Sequence, residues 1–192
     1  MNNKLVGNLA GKVALVSGSG QGIGREVAIK LASEGASVVI NDLDADLANQ
    51  VVEEVLVGSE KNGAKAIACV GNVTDEGFGK RFVKTAVDSF GGLDIIINNA
   101  GYTWDNVIQK MTDEQWYAMI DVHMTAPYRI LQAAQPYIKK FHAQEQDEGC
   151  EVFRKVVNIS SVSGLSGNAG QLAYAAAKAG VVGMTKTLCK EW

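Results

Sequence analysis

The sequence predicts an α/β fold built on a doubly wound parallel sheet, and three observations carry that prediction. Short runs rich in valine and isoleucine alternate with longer amphipathic segments along the chain. The runs are apolar at consecutive positions, which is typical of strands buried on both faces. A glycine-rich turn, SGSGQGIG at 17–24, joins the first run to the first helical segment. Alternation of this kind implies right-handed crossovers that place helices on both sides of one sheet.

Each element has its own local signals. Strands are predicted at 12–18, 37–42, 64–71, 93–101 and 154–161, and helices at 22–34, 44–57, 75–90, 113–140 and 171–191. Thr112 and Gln115 have the spacing of a capping box, and the glycines at 35 and 91–92 are typical helix ends. The polar, acidic stretch at 141–153 is expected to be an exposed excursion before the fifth strand.

Composition narrows the class of protein. The chain of 192 residues is predicted to form one domain, 1–192, and 47% apolar content is enough for its core. Eighteen basic and 21 acidic side chains give a net charge of −3 without a basic block, so nucleic acid and anionic membranes are poor partners. Three dispersed cysteines and two histidines indicate reduced thiols, no metal site and a cytoplasmic location.

The glycine turn has the chemistry of a phosphate site for a dinucleotide. Glycine lets the backbone approach a pyrophosphate closely, and the following helix presents free N–H groups and the positive end of its dipole. Gly18, Gly22 and Gly24 are spaced G-x-x-x-G-x-G rather than G-x-G-x-x-G, and such turns also occur for packing alone. Because the turn follows the first strand of an α/β series, we expect it to bind a dinucleotide.

Asp42 ends the second predicted strand, where an acidic side chain meets the adenosine ribose of a dinucleotide. A carboxylate accepts hydrogen bonds from the ribose hydroxyls and repels a 2′-phosphate. Gln21 stands in the glycine turn, so no arginine is offered there to a 2′-phosphate. NAD is therefore favoured over NADP as the cofactor. A helix N-cap is the alternative role for Asp42, and the two roles are compatible.

A tyrosine and a lysine stand one helical turn apart in YAAAK, residues 174–178. Such a pair alone is more often two solvated side chains, although positions i and i+4 do face one small volume. Ser161 follows the fifth predicted strand, and ligands of open α/β sheets bind outside the carboxyl ends of the strands. A nearby ammonium favours the phenolate of a tyrosine, whose free pKa is about 10. Three features therefore converge in this chain: a dinucleotide turn, a serine at the carboxyl end of a strand and a tyrosine–lysine pair after it.

With these motifs together, the sequence resembles the short-chain dehydrogenase/reductase family. The matching residues, in family order and spacing, are SGSGQGIG (17–24), GNVTD (71–75), NNAG (98–101), SSVSG (160–164) and YAAAK (174–178). The stretch GNAGQLAYAAAKAGVVGMTKTL looks most like the 3-oxoacyl-[acyl-carrier-protein] reductase branch. The resemblance implies a Rossmann fold and catalytic roles for Ser161, Tyr174 and Lys178.

The resemblance also implies a set of cofactor contacts and an assembly. The contacts fall on Gly18, Gln21, Gly22, Ile23, Gly24, Asp42, Asn72, Val73, Asn99, Ala100, Gly101, Tyr174 and Lys178. A homo-oligomer, a tetramer as in the family, is expected, and small residues on the Tyr174 helix would let another helix approach closely. The family's sheet continues with two more parallel strands, so we expect the chain to be incomplete at its C-terminal end.

One position departs from the family pattern. The family usually carries an asparagine in the helix before the fifth strand, where it helps to hold a water of the proton relay. Here MIDVHMTAP places His123 at that position. A neutral imidazole both donates and accepts, so His123 is a candidate relay residue and a group that would titrate near pH 6.5. The alternative is a core histidine with satisfied hydrogen bonds.

The predicted function is an NAD-dependent oxidoreductase that interconverts a carbonyl and a secondary alcohol. By resemblance, the substrate is a 3-oxoacyl thioester. Other dehydrogenase substrates, namely a 3-hydroxyacyl-CoA, a steroid, a sugar or a polyol, stay open at this point. A scaffold that senses the dinucleotide without catalysis is the alternative from another class, and the presence of Ser161, Tyr174 and Lys178 argues against it.

Overall fold

The computed structural model describes residues 7–59 and 62–192, which contain five strands and seven α-helices. The strands are β1 (Val13–Val16), β2 (Ser37–Ile40), β3 (Ala66–Ala68), β4 (Ile95–Asn98) and β5 (Lys155–Asn158). The helices are α1 (Gly22–Ser33), α2 (Ala45–Gly58), α3 (Phe78–Phe90), α4 (Asp113–Ile120), α5 (Ala126–Asp147), α6 (Val162–Ser166) and α7 (Leu172–Glu191). A 3₁₀ turn at Ile108–Lys110 and a π-helical turn at Asp121–Thr125 complete the regular structure of the described residues.

All five strands are parallel, in the order β3-β2-β1-β4-β5. The chain runs outward from β1 through β2 to β3, then returns to the other side of β1 with β4. The carboxyl ends of β1 and β4 therefore flank the point where the direction of winding reverses, which is where open α/β sheets bind ligands. The predicted doubly wound fold is confirmed.

Two apolar layers enclose the sheet. One layer is formed by α3 and α5, whose Phe78, Phe82 and Ile130 are each 1% exposed. The other is formed by α1 and α2, which bury Ala28 and Val51 against the opposite face. Strands β1, β2 and β4 are buried on both faces, as their apolar runs predict. Strands β3 and β5, which form the edges of the sheet within residues 7–59 and 62–192, are only partly buried, so the prediction of double burial is wrong for them.

Helix α5 is longer than the sequence predicts. It continues to Asp147, so the first half of the expected excursion at 141–153 is helical. Arg154 explains the extension, since its guanidinium donates to both carboxylate oxygens of Glu145 at 2.9 and 2.5 Å and to the Leu93 carbonyl at 3.0 Å. This bidentate pair holds the last turn of α5 against the entry to β5.

Local signals at the helix ends are found where the sequence places them. Thr112 and Gln115 form the predicted capping box at the start of α4. Gly91 ends α3 in a left-handed conformation with φ of 74°. No helix of residues 7–59 and 62–192 combines the length and the apolar character that crossing a membrane requires.

Candidate active site

A cleft of about 870 Å³ opens at the carboxyl ends of the strands, beside the reversal point between β1 and β4. Most of the predicted site residues line it: Gly18, Gln21, Gly22, Ile23, Asp42, Asn72, Val73, Asn99, Ala100, Gly101, His123, Tyr174 and Lys178. Gly24 and Ser161 lie outside its lining. The cleft therefore brings together the residues of four separate motifs.

The glycine turn forms one end of the cleft. Gly22 has a φ of +56°, and the space that a Cβ would occupy there is open, so its backbone is accessible from the cleft. Gly24 has a different function, because a Cβ at that position would lie 2.1 Å from the carbonyl oxygen of Gly18. Gly24 thus lets α1 pack closely against the turn. This is the packing role that the sequence analysis gave as the alternative to dinucleotide binding.

Two buried polar residues that the sequence analysis did not single out support this end. Ser17 Oγ accepts the backbone N–H groups of Asn99 and Ala100 at 3.0 and 3.1 Å. In return, Asn99 Nδ2 donates to the carbonyls of Ser17 and Gly18 at 3.0 and 2.8 Å. These bonds join the end of β1 to the end of β4.

Asn41, which is 1% exposed, makes a second junction. Its Oδ1 accepts the N–H of Gly18 at 3.2 Å, and its Nδ2 donates to the carbonyls of Cys69 and Gly71 at 3.0 Å each. One amide group therefore fixes the glycine turn relative to the segment that carries Asn72. The signal in the sequence is a polar residue directly after a buried apolar run, as in VVIN and VALVS.

Asp42 lines the same end of the cleft. One carboxylate oxygen accepts the N–H of Gly20 at 3.0 Å, and the other accepts the N–H of Asp44 at 3.2 Å. The N-cap of α2 is Asp44, whose side chain accepts the N–H groups of Asp46 and Leu47. The N-cap role considered for Asp42 is therefore wrong, and its carboxylate is positioned by the glycine turn.

Tyr174, Lys178 and His123 meet at the other end of the cleft. Lys178 is 5% exposed, and its ammonium donates to the carbonyl of Ile159 at 2.6 Å and lies 5.7 Å from the centroid of the Tyr174 ring. Burial lowers the pKa of Lys178. The imidazole of His123 stands edge-on to the Tyr174 ring, with centroids 5.0 Å apart. A phenol, an ammonium and an imidazole thus share one small volume.

His123 lies in the π-helical turn and is 3% exposed. Its Nε2 is 2.8 Å from the carbonyl oxygen of Tyr102, and because a carbonyl only accepts, Nε2 carries the proton. Among the described residues, Nδ1 has no hydrogen-bond partner, so it presents a free acceptor. A Cβ on Gly101 would lie 2.2 Å from the imidazole, so glycine is needed there to make room for the ring.

Burial, assisted by the charge of Lys178, lowers the pKa of His123 to about 4. The expectation that this histidine titrates near pH 6.5 is therefore wrong. Its imidazole is neutral throughout the neutral pH range. The reason is the low exposure of the ring, which the sequence does not reveal.

Ser161 is the N-cap residue of α6 and follows Ile159, which lines the cleft, by two positions. Its hydroxyl oxygen accepts the N–H of Ser163 at 3.2 Å and caps the short helix. The neighbouring Ser160 donates to the carbonyl of Lys178 at 2.8 Å. The segment after β5 is thereby joined to the middle of α7, which carries Tyr174.

The cleft fits an extended dinucleotide. An accessible glycine backbone and a positioned carboxylate form one end, while a hydroxyl, an ammonium and a neutral imidazole form the other. Among the lining residues, all of them described, Lys178 is the cationic side chain, and it is at the far end from Asp42. No group of three or more His, Cys, Asp or Glu side chains that could hold a metal occurs in residues 7–59 and 62–192.

Comparison with known proteins agrees with this geometry. The family model for short chain dehydrogenase matches residues 12–192. The chain is 41% identical to the hydroxyacyl-CoA dehydrogenase ChsB1 of Mycobacterium tuberculosis, covering 93% of this chain and 56% of that protein. It is 39% identical to a 3-oxoacyl-[acyl-carrier-protein] reductase of Synechocystis, covering 95% of this chain and 69% of that protein.

A solved structure of a short chain dehydrogenase from Mycobacterium avium superposes with a TM-score of 0.82 at 36% identity, covering 93% of this chain and 62% of that one. The chain thus spans little more than half the length of some of the relatives it matches. The resemblance stated from the motifs is confirmed over nearly all of the sequence, and the chain belongs to the short-chain dehydrogenase family.

Proposed function

We propose that this chain contains the cofactor site and the catalytic residues of an NAD-dependent oxidoreductase that interconverts a carbonyl and a secondary alcohol. The observation that carries the proposal is the cluster of Tyr174, Lys178 and His123 at one end of a cleft whose other end is the glycine turn. A phenol beside a buried ammonium is the pair that acid–base chemistry requires, which disfavours the sensing scaffold.

The proton chemistry is assigned to Tyr174. In the reducing direction its hydroxyl donates a hydrogen bond, and then its proton, to the substrate oxygen as negative charge develops there. The ammonium of Lys178, 5.7 Å from the ring centroid, stabilises the phenolate that remains. When bound, the nicotinamide supplies or accepts the hydride. In the oxidising direction the phenolate takes the proton back from the alcohol.

Ser161 supplies the second hydrogen bond to the substrate oxygen. Its Oγ already accepts the N–H of Ser163, so its own O–H proton remains free to donate. His123 is assigned to the path that returns a proton to Tyr174. Its accepting Nδ1 can hold a water by one hydrogen bond, and the neutral ring does this without a change in its charge.

NAD is the proposed cofactor. Asp42 presents a carboxylate where the adenosine ribose would lie, and its hydrogen bonds to the N–H groups of Gly20 and Asp44 keep it in place. A 2′-phosphate at this carboxylate would meet like charge.

The proposed substrate is a 3-oxoacyl thioester or, in the oxidising direction, its 3-hydroxyacyl counterpart. Two kinds of relative support it, a hydroxyacyl-CoA dehydrogenase at 41% identity and 3-oxoacyl-[acyl-carrier-protein] reductases at 38–39%. One name gives a hydroxyl on an acyl group carried by coenzyme A, and the other gives a 3-oxo group on an acyl group carried by an acyl carrier protein, so the two describe the alcohol and the carbonyl form of an acyl chain on different carriers.

The test is a kinetic comparison on the purified protein. Oxidation of NADH and of NADPH is followed by absorbance with acetoacetyl-CoA and with acetoacetyl-acyl-carrier protein. We expect turnover with NADH, and we expect Tyr174→Phe to lower kcat by about a thousandfold or more while NADH binding, measured by fluorescence, stays within about twofold. Turnover of Tyr174→Phe within about tenfold of the unchanged protein would contradict the assignment.

We also propose a homo-oligomer, a tetramer by resemblance, in the cytoplasm. The small residues of α7 contribute less to this proposal than the sequence indicates. Ala173 and Ala177 are buried within the chain, and a Cβ on Gly180 would lie 2.6 Å from Met124 Sδ. Light scattering at micromolar concentration tests the assembly, and a monomer mass would refute it.

A further inference from the structure

Three segments meet next to the Tyr174 end of the cleft, and one side chain joins all of them. They are the loop after β4, which includes Asp105, the short helix α6 that follows Ser161, and the start of α7. Gln171 Nε2 donates to Asp105 Oδ2 at 2.9 Å. Gln171 Oε1 accepts from the hydroxyl of Ser163 at 2.8 Å and from Asn168 Nδ2 at 3.0 Å.

The backbone repeats these connections. Asn106 N–H donates to the carbonyl of Gly170 at 2.8 Å, and Asn106 forms a parallel bridge with Gln171. The loop after β4 is therefore tied to the start of α7 by main chain and side chain together. The outer side of α6 contributes little, because Val162 and Leu165 are 77% and 73% exposed.

Gln171 occupies a helix position that glutamine does not favour. It is the N-cap residue of α7, a position that favours Ser, Thr, Asp or Asn. Within the part of the chain that the structure describes, its side chain makes no capping hydrogen bond and instead uses its amide on the three neighbours above. An N-cap residue whose side chain does not cap its helix indicates that the side chain is needed for other contacts.

We propose that Gln171 is a positioning residue for the reaction, one that fixes the Ser161 hydroxyl relative to the Tyr174 hydroxyl. Gln171 lies one helical turn before Tyr174, and it holds Ser163, whose backbone N–H donates to Ser161 Oγ. The side-chain amide of Gln171 thus positions both proposed donors to the substrate oxygen, the hydroxyls of Ser161 and Tyr174. This inference rests on the proposed function, since it concerns the alignment of the two proposed donors.

The test exchanges donor and acceptor between Gln171 and Asp105. Gln171→Leu removes every side-chain bond. Gln171→Glu keeps the acceptor for Ser163 and Asn168 but places a second carboxylate against Asp105. Combining Gln171→Glu with Asp105→Asn restores the missing bond with its direction reversed, because the introduced amide then donates to the introduced carboxylate. Gln144→Leu, at an exposed glutamine of α5, is the matched control.

We expect Gln171→Leu to lower kcat for acetoacetyl-CoA by about tenfold or more while the NADH dissociation constant changes by less than about twofold, because misalignment affects the reacting groups only. Gln171→Glu should lower kcat in the same way, and adding Asp105→Asn should restore most of it. An unchanged kcat in Gln171→Leu, or a double variant no better than Gln171→Glu, would overturn the proposal.

Hydrogen exchange separates this inference from the proposed function. Gln171→Leu should speed the exchange of the backbone amides at 163–167 by about fivefold or more, whether or not any carbonyl substrate is turned over. If the unchanged protein shows no turnover, the proposed function fails, and exchange still decides on Gln171. Exchange at 163–167 equal to that of Gln144→Leu would refute its positioning role.

Discussion

Replacing His123 by asparagine should make the stability of the protein less sensitive to acid. The pKa of a histidine in an unfolded chain is about 6.5, and in the fold that of His123 is about 4. As pH falls from 6.5 towards 4, the unfolded chain binds a proton at this residue while the folded chain does not. Unfolding is therefore favoured increasingly over that range. The pKa difference corresponds to about 3 kcal/mol in total, of which about 2.5 kcal/mol appears between pH 7.5 and pH 4.5.

The measurement is urea denaturation at several pH values from 7.5 to 4.5, with the free energy of unfolding extrapolated for each. Asparagine does not titrate, so His123→Asn should lose about 2–3 kcal/mol less stability over this range than the unchanged protein. His142→Asn, at an exposed histidine, controls for loss of an imidazole. If the free energy of unfolding fell equally with pH in His123→Asn and in the unchanged protein, His123 would not be held neutral by the fold.

Because the ring stays neutral, the pH dependence of kcat above about pH 6 should be the same in His123→Asn as in the unchanged protein.

Two further substitutions test the other end of the cleft. Asp42→Asn keeps a side-chain acceptor for the N–H of Gly20 but removes the charge, so the preference for NADH over NADPH in kcat/KM should fall by about tenfold. A preference for NADPH in the unchanged protein would contradict the carboxylate argument. Asn41→Leu leaves the N–H of Gly18 and the carbonyl of Gly71 without their buried partner, so we expect a loss of about 2–4 kcal/mol in urea denaturation. A loss below about 0.5 kcal/mol would mean that water replaces the amide.

The features that the sequence predicts correctly are local ones. The strands β1, β2 and β4 follow from runs of apolar residues, and the winding of the sheet follows from their alternation with helices. The capping box of Thr112 and Gln115 needs only four residues to form. The glycine turn and YAAAK carry their spacing within a single segment, so their residues could be placed in one cleft from the strand order alone.

The features that it misses depend on partners distant in the chain. Residues 141–147 look like a polar loop, and they are helical because Glu145 meets Arg154 beyond the next turn. The N-cap of α2 is decided by which of two nearby aspartates is drawn to Gly20, twenty-two residues away. Asn41 contacts Gly71, thirty positions on. The local pattern marks Asn41 as a polar residue after an apolar run, but it does not reveal which distant partner any of these residues contacts.

His123 combines both cases. The sequence shows its place in the family motif. Its pKa, however, depends on burial and on the neighbouring charge of Lys178, which only the packed structure reveals. The same holds for Gly101, which the resemblance gives as a cofactor contact and which in the fold also makes room for the imidazole.

The π-helical turn at Asp121–Thr125 has a consequence for how this protein tolerates insertions and deletions. A π turn holds one residue more than an α turn, and each residue of an α-helix advances the side chains by about 100° around the axis. Removing any one residue between 121 and 125 would allow the stretch to relax into regular helix and would rotate the side chains on one side of the cut relative to the other. Deleting Asp121, for example, would turn His123 away from the edge of the Tyr174 ring although both rings would still be present. The length of this turn therefore matters to the geometry of the site, as the identity of its histidine does.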